Sequence, residues 1–271
     1  MGENNMNTRD NRRLLLVGED IHILNPRFQA VLDRHDDTGL IRLAQKQINN
    51  GAMALDLNPG PARAMTDLIN WALKTLQEQF SIPLFLAPGP HLEPALRQYP
   101  GKITINAATA DPARLTLLMR LAKKYHAELV ILLTRPGMQT IDIQNQLQLA
   151  MDVIEQADKI GMPLKNIYLD PVFSVRTDPL AWNLSGGMPD LDRVLELISL
   201  IGELTNQKAK TILALSNGTM GIAAAKRSAL HYRMLPVLAS GGLSAVILNC
   251  RDHALMRIAR NLNNQIHQKA A

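Results

Sequence analysis

The sequence has few aromatic residues, which make up 4% of its 271 positions. Proteins that hold single-stranded nucleic acid stack its bases on aromatic side chains, so this composition argues against that role. Basic residues are spread along the chain, and the densest basic sites are pairs such as Arg12-Arg13 and Lys226-Arg227. With a formal charge of +5 and no long basic run, the chain does not carry the pattern of a nucleic-acid interface.

Cysteine is almost absent, since Cys250 is the only one. A single cysteine excludes an internal disulfide and any metal cluster built from several thiolates. This usage is typical of a reducing compartment, so we expect a cytoplasmic protein. No apolar run in the sequence is long enough to span a bilayer, and residues 1–12 lack the apolar stretch of a secretory signal. We interpret residues 1–12 as a disordered polar tail and residues 13–271 as one domain.

Other signatures of catalytic chemistry are also missing. The sequence has no H-E-x-x-H pair, no P-loop and no complete G-x-S-x-G elbow. Its seven histidines show no close ligand pair, so we predict no metal site.

Short apolar runs alternate with longer helical stretches along the chain. The apolar runs predict eight strands, at residues 14–18, 53–57, 83–87, 102–106, 128–133, 166–170, 211–215 and 243–248. They lack clean period-2 alternation, as is typical of parallel strands buried on both faces. The stretches between and after them predict helices at residues 38–50, 62–79, 91–98, 111–125, 141–160, 190–206, 223–238 and 252–267.

Eight strands alternating with eight helices predict an α/β fold of the (β/α)8 barrel type. A doubly wound open sheet is the alternative, and it is less favoured because no strand is followed by G-x-G-x-x-G. The longest predicted loop, residues 171–189, follows the sixth strand. Long loops of this kind in compact domains are often functional.

Polar side chains occur where the predicted strands end. In these barrels the active site lies at the carboxyl ends of the strands, and the residues found there are Asp56, Asn58, Asn106, Asp170 and Asn217. Carboxylates accept hydrogen bonds from ring N–H and amino groups, and carboxamides both donate and accept. We therefore predict a shared cavity that recognises a flat nitrogen heterocycle. The alternative is that these residues cap the following helices. Capping readily explains a polar residue at any one of these positions, but it explains less well why all five are polar.

Five segments carry a resemblance to a known family. They read VGEDIHILN (17–25), NNGAMALDLNPGP (49–61), ITINAATAD (103–111), NIYLDPVF (166–173) and TILALSN (211–217). In order and spacing, over nearly the whole chain, the sequence resembles the pterin-binding (β/α)8 barrels. It is most similar to the methyltetrahydrofolate:corrinoid methyltransferases, which include the enzyme that methylates the corrinoid/iron–sulfur protein.

The resemblance implies a methyltransferase that moves a methyl group between methyltetrahydrofolate and the cobalt of a corrinoid. A separate corrinoid protein would carry the cobalt, because no D-x-H-x-x-G cobalamin pattern occurs in the sequence. The resemblance also implies a homodimer.

Residue roles follow from the same resemblance. Asn106 and Asp170 correspond to contacts with the pterin ring. Asn217 corresponds to the catalytic asparagine that hydrogen-bonds the methyl-bearing nitrogen, with Asp170 contributing to the electrostatics. Asp56 and Asn58 form the polar end of the second strand beside the same cavity, and Glu19 belongs to the first-strand motif that supports the mouth.

The chain departs from the family pattern at two strand ends. Ala87 stands where the third strand of the family usually ends on an aspartate, so one charged contact to the amino-pyrimidine edge is lost. Asp20 and His22 stand where the first-strand motif often has arginine and asparagine.

Two alternative functions remain open. Ala87 motivates a catalytically weakened module that binds a pterin or a corrinoid protein. A dihydropteroate synthase-type enzyme shares the barrel, but it carries a Ser-Arg-Lys-like motif after the seventh strand. This chain has Ser216-Asn217-Gly218-Thr219 there.

Overall fold

The computed structural model describes residues 13–60, 65–138, 141–176 and 188–270. Its strands are β1 (Leu15–His22), β2 (Ala54–Asn58), β3 (Leu84–Leu86), β4 (Ile103–Thr109), β5 (Glu128–Leu132), β6 (Ile167–Asp170), β7 (Val175–Arg176), β8 (Met188–Pro189), β9 (Lys210–Ala214) and β10 (Ala245–Leu248). Eight of them form a closed barrel in the order β1-β10-β9-β6-β5-β4-β3-β2, and every pair in it is parallel. The predicted barrel is therefore confirmed over the open sheet.

The two remaining strands, β7 and β8, pair antiparallel within the long loop after β6. Residues 177–187 of that loop and the predicted polar tail, residues 1–12, lie outside the described residues.

The described residues form nine helices around the barrel. They are α1 (Pro26–Arg34), α2 (Asp37–Asn49), α3 (Met65–Gln77), α4 (Leu92–Gln98), α5 (Pro112–Lys124), α6 (Ile143–Ile160), α7 (Leu191–Leu204), α8 (Ala224–Ser240) and α9 (His253–Ala270). Eight of these match the predicted helices. None of the described helices combines the length and apolar character needed to cross a bilayer.

Helix α1 was not predicted from the sequence. It begins after Asn25, whose side chain accepts a hydrogen bond from the Arg27 backbone N–H, and Pro26 occupies its first turn. The helix ends at His35 in the left-handed conformation, with φ 47°. With nine residues it is short, and it adds a second helix between β1 and β2.

Two apolar layers explain why the strands are hydrophobic on both faces. A small group fills the barrel lumen and consists of Val17, Ala54, Phe85, Val130, Tyr168, Ile212, Ala245 and Ile247. The alternate residues of the same strands, such as Leu16, Leu55 and Leu84, pack outward in the larger core under the helices. The lumen is therefore a packed floor, and it leaves the carboxyl ends of the strands for a site.

A charged group closes the amino-terminal end of the lumen. Glu128, at the start of β5, is 5% exposed and pairs with Lys210 and with Lys102 Nζ at 2.7 Å. Thr104 donates to the same carboxylate at 3.1 Å. Burial opposes ionisation of Glu128, but the two lysines hold its pKa below the ordinary value.

Replacing Glu128 should destabilise the barrel. Glu128→Ala removes the carboxylate from two ammonium groups, one of which, Lys210, is largely buried. We expect the free energy of unfolding to fall by about 3 kcal/mol in urea denaturation. Glu155→Ala is the control, because Glu155 forms an exposed pair with Lys159 on helix α6, and it should change stability far less. Equal effects of the two substitutions would contradict this account of the closed end.

Candidate functional site

The candidate site is formed by the residues that lie two positions further along the barrel strands than the apolar residues of the lumen. Because side chains alternate along a strand, the next inward position on each barrel strand faces the same mouth. Reading around the barrel from β1 to β10, these positions are Glu19, Asp56, Ala87, Asn106, Leu132, Asp170, Ala214 and Asn249. Three of the strand-end residues predicted from the sequence, Asp56, Asn106 and Asp170, belong to this set, with apolar residues between them.

Asp56 and Asn106 are joined directly across this mouth. The Asn106 Nδ2 donates to Asp56 Oδ1 at 3.0 Å, and Asp56 is 4% exposed. Burial raises the pKa of Asp56 to about 7, and the charge of Glu19 adds to this, whereas the bond from Asn106 opposes it. At neutral pH this carboxyl group therefore exchanges readily between its charged and neutral forms.

Irregularities in two strands bring polar residues to the mouth. β1 has one extra residue relative to β2 between Gly18 and Ile21, which is where Glu19 lies. β4 has one extra residue relative to β5 between Ile105 and Ala108, which is where Asn106 lies. Bulges of this kind re-aim side chains and are common beside active sites.

Glu19 connects β1 to the turn after β9. The Ser216 hydroxyl donates to Glu19 Oε2 at 3.1 Å. Burial raises the pKa of Glu19; the bond from Ser216 and the charge of Arg251 oppose the shift, and the charge of Asp20 adds to it. This contact joins the first-strand motif to the turn that contains Asn217.

Asp170 is the carboxyl group at the end of β6. Its Oδ1 accepts a hydrogen bond from the Val172 backbone N–H at 2.7 Å. Burial raises the pKa of Asp170 to about 7, and the Val172 bond and the charge of Arg193 oppose that shift. Asp170 and Asp56 are therefore two buried acids in the same mouth, each with a raised pKa.

The loop after β6 is fixed from behind by Arg193, which sequence reasoning missed. This guanidinium donates to the carbonyl oxygens of Pro171 and Val172 at 3.0 Å each and pairs with Asp190 at 2.6 Å. The Gln146 amide donates to the Pro171 carbonyl as well, at 2.8 Å. The partners come from helices α6 and α7, so no local pattern in the sequence indicates them.

Asn217 lies in the short 3-10 turn Leu215–Thr219. Within the described ranges its side chain makes no hydrogen bond, although the turn around it is held firmly. Thr219 Oγ1 donates to the Ser216 carbonyl at 3.1 Å and contacts His231 Nε2 at 2.8 Å. Gly218 lies against Phe173, so that a Cβ at this position would be 2.2 Å from the ring. The Asn217 amide is thus left available on a rigid support.

Asn58 stabilises the turn that follows β2. Its side-chain oxygen accepts from the Gly60 backbone N–H at 3.1 Å, and its carbonyl accepts from the Ile23 N–H at 2.8 Å. At this position the structure shows the local turn-forming role for the oxygen, and the side-chain nitrogen has no hydrogen-bond partner within the described ranges.

The third-strand corner is closed by His91, another residue that sequence reasoning missed. His91 Nε2 bonds the Ala87 carbonyl at 2.8 Å, and Gly89 packs against the imidazole ring. His91 is 3% exposed, and burial lowers its pKa. A neutral histidine therefore fixes the corner at Ala87.

The mouth contains acids without directly bonded cations. In the part of the chain that the structure describes, no lysine, arginine or histidine side chain forms an ion pair or hydrogen bond with Glu19, Asp56 or Asp170. Arg251 lies close by, but it forms an ion pair with Asp20, with 3.0 Å between Nε and Oδ1. Three or more His, Cys, Asp or Glu side chains do not cluster in a metal-binding arrangement anywhere in the described ranges.

Comparison with known proteins gives the fold a context. No family model matches the sequence. Among solved structures, the chain is similar to dihydropteroate synthase of Yersinia pestis in complex with a pterin–sulfa conjugate. The TM-score is 0.65 at 15% identity, covering 96% of this chain and 95% of that one.

A second similar structure is dihydropteroate synthase of Xanthomonas albilineans with 4-aminobenzoic acid. It aligns with a TM-score of 0.67 at 13% identity over 98% of this chain and 96% of the other. The same enzyme in complex with 7,8-dihydropteroate aligns at 0.63 and 14% identity over the same shares of the two chains. At such low identity these likenesses show the fold alone.

The raised pKa of Asp170 predicts a pH-dependent stability. Between about pH 4, the ordinary range of an aspartate, and pH 7, the folded state holds a proton that the unfolded chain has lost. Its contribution to stability is therefore greatest below pH 4 and declines as the pH rises to about 7, by up to about 1.4 kcal/mol per unit.

Asp170→Asn tests this directly, because the amide oxygen still accepts from Val172 but cannot ionise. The stability of the variant relative to wild type, measured by urea unfolding from pH 4 to 8, should increase with pH up to about 7 and then level off. Asp158→Asn on the surface of helix α6 controls for the substitution itself. A stability difference that stays constant across the range would show that Asp170 is ionised throughout.

Proposed function

We propose that this protein transfers a methyl group between methyltetrahydrofolate and the cobalt of a corrinoid held by a separate protein. The observation that carries the proposal is the mouth itself. It combines buried acids and amides, has no directly bonded cation in the described ranges, and presents the uncommitted Asn217 amide at its edge.

Recognition of a pterin is the first step of the proposal. The amino-pyrimidine edge of a pterin offers N–H donors and ring acceptors, which suit the carboxyl group of Asp170 and the amide of Asn106. Asp56 and Asn58 line the same cavity, and Glu19 supports it from β1. The pterin compounds bound by the dihydropteroate synthases with this fold support the same class of ligand.

The chemistry of methyl transfer favours a mouth of this kind. A methyl group on a tertiary amine leaves only if positive charge builds up on the nitrogen, so the site must stabilise that charge in the transition state. Nearby carboxyl groups do so electrostatically, and the Asn217 amide can bond the methyl-bearing nitrogen as its charge changes. The rigid turn around Asn217 keeps this amide in place before the reaction.

A dihydropteroate synthase-type activity is the second candidate, and the similarity to solved synthases favours it. That chemistry calls for basic residues that recognise an anion after the seventh barrel strand. The turn Leu215–Thr219 has the sequence LSNGT and contains none. The composition of this turn therefore favours methyl transfer.

Exposed apolar residues at the rim of the mouth support the proposal that another protein docks there. Leu24, Met188 and Met220 are 81%, 60% and 68% exposed, and they lie on loops that follow barrel strands. Exposed apolar patches often mark docking surfaces, and in the proposal these three residues form such a patch. In the proposal, the corrinoid protein binds at this rim and brings its cobalt to the mouth. We further propose a homodimer, which rests on the family resemblance.

Asn217→Ala should separate catalysis from binding. We expect the rate of methyl transfer to fall about a hundredfold, with a much smaller change in methyltetrahydrofolate affinity, because the bond to the nitrogen strengthens toward the transition state. The assay follows methylcobalamin formation from methyltetrahydrofolate and free cob(I)alamin, with affinity measured by calorimetry.

Asn106→Ala is the matched comparison, because it removes an amide that we assign to ground-state binding. It should weaken affinity by about 1–3 kcal/mol. If Asn217→Ala lowers rate and affinity together, Asn217 is a binding residue. If the wild type forms no methylcobalamin but makes 7,8-dihydropteroate from a pterin and 4-aminobenzoic acid, the synthase candidate replaces this proposal.

Ala87→Asp should restore the acid of the similar family. Ala87 is held in place by His91 through its backbone, so the new side chain should project into the lumen without moving the corner. We expect methyltetrahydrofolate to bind about 1–3 kcal/mol more tightly. Ala87→Asn controls for size and should gain less. Equal or weaker binding by the Asp variant would indicate repulsion from the nearby carboxyl groups or a different pterin pose.

A further inference from the structure

Glu19 and Asp56 lie side by side in the mouth. They follow residues that pair across the β1–β2 ladder, Val17 with Ala54 and Gly18 with Leu55, and both belong to the inward-facing set. They are close enough for the charge of one to raise the pKa of the other. These two acids are therefore neighbours on adjacent strands of one buried wall.

Each acid receives a hydrogen bond from a neutral donor. Ser216 Oγ donates to Glu19, and Asn106 Nδ2 donates to Asp56. Neutral donors provide hydrogen bonds to the carboxylate oxygen atoms but do not neutralise the negative charge. Two carboxylates on neighbouring strands of a poorly solvated wall disfavour ionisation of each other, and such an arrangement favours keeping one proton.

The charged groups around the pair do not change this conclusion. Asp20 adds negative charge beside Glu19. The Arg251 guanidinium forms an ion pair with Asp20, and its charge also lowers the pKa of Glu19. Lys46 and Arg27 lower the pKa of Asp20 through their charge alone. Burial outweighs these charges, because it is the largest influence on Glu19, Asp20 and Asp56 and raises the pKa of all three.

Glu128, at the opposite end of the lumen, shows the contrast within the same barrel. It is as buried as Asp56, but it is bonded to two lysines, which hold it ionised. Among the described residues, the closed end of the barrel therefore has a buried acid bonded to cations, whereas Glu19, Asp56 and Asp170 at the open end have no directly bonded cation.

We propose that Glu19 and Asp56 share one proton and that Asp56 delivers it to the methyl-bearing nitrogen of the pterin during methyl transfer. This proposal rests on the function proposed above, which requires a proton at that nitrogen. Ser216 bonds Glu19 and directly precedes Asn217, so the pair lies beside the turn assigned to the reacting nitrogen.

In this step a proton replaces the methyl group on the nitrogen. A carboxyl O–H bond breaks and an N–H bond forms on the nitrogen. The N–CH3 bond breaks with its electron pair staying on nitrogen, and cobalt(I) supplies the two electrons of the new cobalt–carbon bond. Tetrahydrofolate leaves as the N–H amine, and the pair regains a proton from solvent. Asp56 is then the proton donor, and Glu19 is a positioning residue that keeps the proton on the pair.

The pH dependence of the rate tests the donor. Methyl transfer to free cob(I)alamin at saturating methyltetrahydrofolate should fall as the pH rises above about 7, the pKa of Asp56, because the donor loses its proton. Asp56→Asn should lower kcat about a hundredfold and abolish this decline. Glu19→Gln should move the decline to lower pH. Profiles of both variants that match the wild type in height and shape would overturn the proposal.

Infrared difference spectroscopy tests the shared proton without any reaction. A protonated carboxyl group and a carboxylate absorb at different frequencies, so the wild type at pH 7 should show the band of a neutral carboxyl group. Asp56→Asn should remove this band, and Glu19→Gln should lower the pH at which the band disappears. Glu128→Gln is the matched control and should leave that band unchanged. Because Asp170 is also expected to be partly protonated, the spectra are compared with those of Asp170→Asn.

The two measurements separate the possible failures. A band with the expected sensitivity but no methyl transfer by the wild type would refute the methyltransferase function and the delivery step, while leaving the shared proton in place. Methyl transfer without a band that responds to Glu19 and Asp56 would overturn the shared proton and retain the function.

Discussion

The candidate site depends on one constraint: carboxyl groups are buried at the carboxyl ends of the strands, and no cation among the described residues is bonded to them directly. A parallel barrel places a packed apolar floor below its mouth, so any acid above that floor is poorly solvated. In this chain Asp56 and Asp170 both have a pKa of about 7 as a result. The hydrogen bonds from Asn106 and the Val172 backbone N–H limit the shift without cancelling it.

The surrounding structure serves to keep these groups in position. Arg193 and Gln146 fix the loop beyond Asp170, and His91 fixes the corner at Ala87. Ser216 ties the turn of Asn217 to Glu19. Polar residues whose orientation is set before a ligand arrives are the arrangement that electrostatic catalysis requires.

Most of the fold could be predicted from the sequence, for a physical reason. Strands buried on both faces appear as short continuous apolar runs, and all eight barrel strands were found in this way. The predicted strands corresponding to β1 and β4 ended too early, since these strands extend to His22 and Thr109. The reason is that a bulge interrupts the apolar pattern at the positions of Glu19 and Asn106. Helix α1 was missed because nine residues give only a brief periodic signal.

The site was only partly predictable. Asp56, Asn106 and Asp170 lie in the carboxyl-terminal parts of their strands, as expected, because strand ends can be read from the apolar runs. Their role in a site stays a prediction. Arg193, Arg251 and His91 were missed, since their partners depend on the packing of helices and loops that no local pattern reveals. Asn58 shows the reverse case, in which a residue at a strand end uses its side-chain oxygen to shape the adjoining turn.

A crystal structure of the protein with methyltetrahydrofolate tests the central claim most directly. The account predicts the pterin ring in the barrel mouth, with Asn106 and Asp170 on its polar edges and the Asn217 amide within hydrogen-bond distance of the methyl-bearing nitrogen. A pterin bound elsewhere, or an Asn217 side chain turned away from that nitrogen, would contradict it.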